Sequence, residues 1–443
     1  MSDSIKQRFN TRESFISVCN YPDPQYGIRE LNAVAWHSER TLKPLAHGNR
    51  MVVVIAEKIP NHTQYLEGKN MLILRSWKKG SPFALFTILK RILEFSKIKT
   101  VLFQFEFNMF GGMTPLVFAP LVLALVKMSG KRIVFELHQV VLDIKELANH
   151  VNVKNPFLQW AFNLGLHLFY FSVGLFADEV LVLEEDLKKR LHNLVYEDKI
   201  VFVPIAIETK RNLPQQQAKQ KLGISPDDFC ILVFGFINWY KGSDWIVKAI
   251  RGSHQKHVRL LMAGGESPTL KDKSYYQRFY KKIEAAARAS NKVILTGFVP
   301  DDSIKLYFSA ADLVVLPYRV FMSASGPFSL ALSYRKPVLL SNRLYDYTHS
   351  QDFSDSMEYA GLTKTDLFFP FHAGKFDEII KHIRKQEDYK AQLTTFSRKL
   401  AGKRSTEAMV ERLKEILVPT YVIKGHVSFR HGGDRRLYAL KNI

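Results

Sequence analysis

Two cysteines among 443 residues, Cys19 and Cys230, are too few for a disulfide framework. Both border apolar, strand-like runs, the setting of buried free thiols in a reducing compartment. The opening residues "MSDSIKQRFNTRES" hold no apolar signal core, so a cytoplasmic location is expected. Acid is scarce: 42 Asp and Glu face 63 Lys and Arg, a formal charge of +21. Such an excess favours polyanions, whether nucleic acid, anionic lipid or phosphate-bearing small molecules. The basic residues are spread along the chain, 25 against 19 acidic over 1–200 and 38 against 23 over 201–443. No compact aromatic–basic motif appears, so nucleic acid is not an expected partner.

Uninterrupted apolar runs are also few. The charge-free stretch 107–126 is broken by Gly111, Gly112, Pro115 and Pro120. The stretch 155–177 is longer, but Gln159, Asn163 and His167 fall four apart on one helical line. That pattern fits a helix buried in protein or one lying in a membrane interface, rather than a span.

What is present is alternation. "SFISVCN", "RMVVVIAE", "MLILRSW", "TVLFQFE", "RIVFELH" and "EVLVLEE" read as strands separated by helical segments. After the polar run "TKRNLPQQQAKQKLG" the plan repeats with "FCILVFGFI", "VRLLMAGG", "KVILTGFV", "DLVVLPY" and "KPVLLSN". Continuous apolar strands between helices predict parallel sheets covered on both faces. The expected architecture is α/β, with two doubly wound Rossmann-like domains, 1–209 and 210–415, facing a central cleft. A tail, 416–443, is expected to pack back on the first domain. Ligands of such folds bind at the carboxyl ends of strands.

Several residues sit at those ends. Gly235 follows a strand, and Lys241–Gly242 closes the next loop before a helix. The lysine reads either as a solvated loop residue or as a compact charge for a phosphate. Gly264 and Gly265 also follow a strand, where a flat group can approach the backbone. Gly297 and Phe298 lie at a further strand end. "FMSASGPFSLALSYRKPVLLSN" predicts a small-residue loop with Ser323, Ser325 and Gly326, then a helix opened at Pro327. Helix-end amides there suit phosphate, although the loop has no charged side chain between Val320 and Arg335.

The succession "FGFINWYKG", "LMAGGESP", "TGFVPDDSIKLYFSAADLVVLPY" and "SASGPFSLALSYRKPVLLS" resembles the GT4-type (group 1) glycosyltransferases of the GT-B fold. The likeness is good over 225–345 and looser in the first half, where it rests on "VFELHQVV" and "ADEVLVLEEDLKKRL". The resemblance implies transfer of a hexose from a nucleotide-sugar donor to a glycan or lipid-linked acceptor, usually with retention and without a metal or other cofactor. Absence of Asp-x-Asp from the chain agrees with this. By the resemblance Lys241 binds the donor diphosphate, and Gly264, Gly265, Gly297 and Phe298 line the base and ribose region. Amides around Ser325 and Gly326 cap the phosphates, and His138 faces the transferred sugar. Two departures stand out. Phe236 replaces a frequent basic residue, and Met322 and Leu330 occupy the positions of an acidic pair. The sequence is thus a Ser-Ala-Ser-Gly variant, and a noncatalytic nucleotide-sugar or glycan binder on the same fold is the alternative.

Loops containing Tyr26 and Gly27, and Gly111 and Gly112, follow strands at the same sheet end as His138 and are the expected acceptor side. Residues 75–99 hold seven basic residues against one acid, Glu94, within an apolar helix. This region reads as a docking element for an anionic membrane surface or as an ordinary core-facing helix with solvated lysines.

Overall fold

The computed structural model describes residues 3–23, 33–47, 50–60, 63–107, 109–111, 114–147, 155–321 and 324–417. The first sheet contains β1 (Phe15–Val18), β2 (Val52–Glu57), β3 (Gln64–Glu67), β4 (Met71–Trp77), β5 (Thr100–Phe105), β6 (Arg132–Leu137), β7 (Glu179–Val182) and β8 (Ile200–Phe202). Their order is β3-β4-β2-β1-β5-β6-β7-β8, parallel except for β3 on β4. β3 was not anticipated: its alternation of exposed and half-buried residues makes it a solvated edge, and "QYLE" is too polar to read as a core strand.

The second sheet contains β9 (Phe229–Phe234), β10 (Val258–Ala263), β11 (Val293–Leu295), β12 (Leu313–Leu316), β13 (Val338–Ser341) and β14 (Phe368–Phe369). Its order is β11-β10-β9-β12-β13-β14, all parallel. Strand order therefore reverses between β9 and β12, and between β1 and β5 in the first sheet. At such reversals neighbouring connections leave to opposite faces and open a crevice at the strands' carboxyl ends.

Successive strand residues feed opposite faces. In the first domain Val53 and Ile55 pack with Ile88, Val122 and Tyr170, from helices Ala84–Leu93, Ala119–Met128 and Pro156–Phe176. Val52 and Val54 pack instead with Leu42 and Leu413, from helices Ala33–His47 and Thr406–Leu417. The last of these helices thus returns from the second domain to the first, where Arg132 donates to the Ile416 carbonyl at 2.6 Å. Beside the crossing, the buried Arg404 guanidinium reaches Asp352 at 2.6 Å and Glu184 at 3.6 Å. Burial pushes the Glu184 carboxyl up to about 7, against the pull of Arg404. Residues 418–443, most of the expected tail, lie outside the described residues.

Helix starts follow local chemistry. Ser325 caps the helix Gly326–Ser333 by accepting from the Phe328 amide at 3.3 Å, with Pro327 in its first turn. After Ser81 and Pro82, a pair that could open a helix, the helix itself begins at Ala84. Ser81 takes part through its backbone, its carbonyl accepting from the Ala84 amide at 3.2 Å.

Candidate functional site

The densest assembly of sequence-predicted residues lies at the carboxyl ends of β9, β10 and β12. Gly235 ends β9 with φ +100°, which excludes most side chains. A Cβ there would stand 2.9 Å from Lys241 Nζ and 3.2 Å from Pro327 Cγ. The lysine ammonium and the first turn of helix Gly326–Ser333 therefore meet on one glycine. Gly242, at φ +69°, caps the helix Ser243–Gly252. Any Cβ on it would lie 1.8 Å from the Pro317 carbonyl oxygen, so the loops after β9 and β12 touch backbone to backbone. Gly264 abuts the Gly235 carbonyl in the same way, at 2.1 Å, and Gly265 abuts the Phe298 amide at 2.8 Å. Four loops, those after β9, β10, β11 and β12, are held this close because each contact has a glycine on at least one side.

Lys241 is the electrostatic centre. It is 9% exposed, and no carboxylate among the described residues pairs with it. Burial alone pushes its ammonium down to about 8. A buried cation without a counterion is costly, and here the positive end of a helix dipole adds to it. Both features favour an anion at this point. Arg319, a cation two residues beyond Pro317, is by contrast spoken for: it grips Asp244 with two bonds of 2.7 and 2.9 Å.

The remaining predicted donor-side residues are distributed as follows. Ser325 is buried, its hydroxyl shared between the cap and Tyr318 Oη at 3.0 Å. Gly326 is exposed, and a Cβ on it would meet nothing within 4 Å, so the helix start is open. Phe298 is 49% exposed at the rim, next to Gly297 at φ +74°. Leu330, where the resemblance expects an acid, is buried in the core. Ser323 and Met322 lie outside the described residues. Sequence reading missed Tyr318, Tyr240 and Asn238. Asn238 is buried, and its Oδ1 accepts no hydrogen bond from the described residues. A lone Asn before an aromatic pair, "NWYKG", was the available signal.

Across the cleft, His138 follows β6, its amide donating to the Phe105 carbonyl at 3.0 Å. Its ring is turned to a compact cluster. Glu136 Oε1 lies 2.5 Å from His37 Nε2 and 3.4 Å from His138 Nε2, and Gln104 donates to Glu136 Oε2 at 3.1 Å. Burial would raise the Glu136 carboxyl, but His37, His138 and Gln104 pull it down to about 2. Burial, with His37 beside it, pushes His138 down to about 3 against the opposing pull of Glu136. His138 is therefore a neutral imidazole near pH 7. Two imidazoles and a carboxylate are metal-ligand types. However, ligands at about 2.1 Å on a tetrahedral ion lie roughly 3.4 Å apart, and the His37–Glu136 contact of 2.5 Å fits a hydrogen-bonded pair instead. His37, Glu136 and Gln104 were not singled out from sequence, although an acid inside the apolar strand "RIVFEL" was a visible anomaly.

Gly111 lies at φ +78° on the loop after β5, where a Cβ would strike Lys79 Cγ at 2.8 Å. Its partner Gly112, and Tyr26 and Gly27 on the other predicted acceptor loop, fall outside the described residues. The two domains also meet through Arg190, which donates to the Val140 carbonyl at 3.3 Å and to the Phe321 carbonyl at 3.1 Å. This guanidinium ties the loop after β6 to the start of the predicted phosphate loop.

Comparison with known proteins agrees with this geometry. Residues 228–349 match the family model "Glycosyl transferases group 1". An uncharacterized glycosyltransferase of Methanocaldococcus jannaschii is 25% identical over 155 residues, 34% of this chain and 32% of that protein. The lipopolysaccharide 1,2-N-acetylglucosaminetransferase of Salmonella typhimurium is 25% identical over 158 residues, 33% of this chain and 41% of that protein. The matched region thus spans less than half the length of either relative. Among solved structures, HepE of Anabaena in complex with UDP and glucose aligns over 91% of this chain and 99% of its own, with TM-score 0.63 and 13% identity. WaaG, a glycosyltransferase involved in lipopolysaccharide biosynthesis, aligns over 92% and 100%, with TM-score 0.61 and 14% identity. The chain has the GT-B fold, and its residues 228–349 carry the pattern of the group 1 glycosyl transferases.

Proposed function

We propose that this protein is a glycosyltransferase that moves a hexose from a nucleotide-sugar donor, with UDP-sugars as the first candidates, to a glycan or lipid-linked acceptor. The observation that carries the reading is Lys241: a buried ammonium without a carboxylate partner among the described residues, set at a strand-order reversal against an open helix start. Bond cleavage between sugar and diphosphate leaves negative charge on the β-phosphate oxygen. An ammonium and helix-end amides fixed there in a dry site stabilise that charge more in the transition state than in the ground state. In this reading Gly264, Gly265, Gly297 and Phe298 receive the nucleoside. His138, neutral and backed by Glu136, offers a hydrogen bond to the donor sugar from the first domain. Charge stabilisation by Lys241 and the helix removes the need for a metal or other cofactor, and the reaction proceeds with retention. The protein works in the cytoplasm, at the membrane surface in the case of a lipid-linked acceptor.

Thermal-shift titration with UDP-, GDP-, ADP- and dTDP-sugars tests the donor site, because a ligand of the folded state alone raises its stability. One nucleotide class should give a saturable shift that Lys241→Ala abolishes. Silence from all four classes would overturn the donor reading. Leu330 supports one second reading, a noncatalytic binder of the same ligand, since it cannot accept bonds from sugar hydroxyls. Release of free sugar or its transfer by the purified protein rules that reading out.

A further inference from the structure

Large apolar side chains that remain exposed are concentrated on one layer of the first domain. On helix Pro156–Phe176 they are, besides Leu158 to one side, Phe157, Trp160, Leu164, Leu168, Phe171 and Leu175, from 45 to 69% exposed. Spacings of three and four residues place all six on one face. Of the polar seam, His167 stays exposed, whereas Asn163 is engaged by the protein. Asn163 accepts from the Ile144 amide at 2.8 Å and donates to Asp143 at 2.9 Å, so this residue fastens the helix to its own preceding loop. The opposite face, with Leu166, Phe169, Tyr170 and Val173, is buried against the core, so the helix is apolar on both faces.

The apolar surface continues sideways. Helix Ala119–Met128 packs between Pro156–Phe176 and Ala84–Leu93, adding Val117 at 75%, Leu121 at 52% and Met128 at 82% exposed. Phe83, 62% exposed, stacks on Phe118 at 6.4 Å and extends the surface to the first helix. Three neighbours 8–10 Å apart span about 20 Å, a breadth beyond a coiled-coil seam and beyond the scattered apolar residues of an ordinary surface. None of the three helices carries an acid. Lys78, Lys79, Lys90, Lys97 and Lys99 are exposed beside the layer, and no carboxylate among the described residues pairs with them. No helix among the described residues is long and apolar enough to cross a membrane.

We propose that this three-helix layer is an interfacial docking face for an anionic bilayer, with helix Pro156–Phe176 lying along the surface. The Phe157–Trp160 pair, stacked at 5.8 Å, would enter among the acyl chains, and the lysines would meet the headgroups. Phe83, Val117 and Phe157 all stand at the strand-carboxyl end of their helices, so docking presses the cleft rim against the membrane. The inference extends the docking reading of residues 75–99 and is independent of the donor assignment.

Co-sedimentation of the full chain with vesicles of phosphatidylcholine, alone or with about one-third phosphatidylglycerol, tests it. Binding is expected to the anionic vesicles, with a blue shift of tryptophan emission. The exposed pair Trp160→Ser with Phe171→Ser should weaken binding by about tenfold or more, and Lys78→Ala with Lys79→Ala and Lys90→Ala should do so mainly at low salt. Nucleotide-sugar thermal shifts, measured without vesicles, should be the same in all three proteins and report that the fold is intact. Undiminished vesicle binding by the Trp160/Phe171 variant overturns the proposal. So does a wild-type chain that ignores vesicles but dimerises through this face in sedimentation velocity. Loss of nucleotide-sugar shifts with vesicle binding retained would strike the donor reading alone.

Discussion

The two domains share one plan, a parallel sheet whose strand order reverses once, yet they treat buried charge oppositely. In the first, Glu136 is enclosed by His37, His138 and Gln104. In the second, Lys241 is buried beside a helix start without a carboxylate among the described residues. A carboxylate held among basic and amide side chains is structure that can also orient a ligand. A buried cation without a carboxylate among the described residues is an unfinished interaction, and it favours an anion on that side of the cleft.

The sharpest way to break this contrast is to remove one charge from each domain. Glu136→Ala leaves His37 and Gln104 without their acceptor, and should lower unfolding stability by about 3 kcal/mol or more in denaturant titration. Lys241→Met should do the reverse in the ligand-free protein, leaving the unfolding midpoint unchanged or higher, because it deletes an uncompensated charge. The same variant should lose about 100-fold in UDP affinity, about 2.7 kcal/mol, by calorimetry. A Lys241→Met protein that unfolds easily and still binds UDP would erase the distinction between the domains. Ser325→Ala has a smaller expected effect. Loss of the helix cap and of the Tyr318 partner should cost about 1 kcal/mol of stability and only a few-fold in UDP affinity.

Much of this was legible in the amino-acid sequence, for physical reasons. Apolar runs such as "FCILVF" specify doubly covered strands wherever they fall, and Gly–Pro signals such as Gly326–Pro327 mark a helix start without tertiary help. The glycines were legible as glycines, but not as the backbone contacts of Gly242 on Pro317 and Gly264 on Gly235, which depend on loops distant in sequence. The His37–Glu136 pair was invisible because its members are 99 residues apart on a helix and a strand. Helix 155–177 was read as buried or interfacial. Only packing shows that Asn163 of its polar line is fastened to the preceding loop while His167 stays exposed. Lys241 carried a similar ambiguity, and its burial removes the solvated reading.

That burial has a pH signature. With the Lys241 ammonium held at about 8 in the fold and 10.5 when free, the unfolded chain binds more protons between those values. The ligand-free protein therefore gains stability from this group as pH rises from 8 to 10.5. A bound diphosphate favours the charged form and raises that pKa. Isothermal titration of UDP at about pH 8.5, in two buffers of different protonation enthalpy, measures the linked protons directly. Net uptake approaching one proton per UDP in the wild type, and none in Lys241→Met, is the predicted result. Tight UDP binding with no proton uptake by the wild type would contradict the assignment of Lys241 to the phosphate.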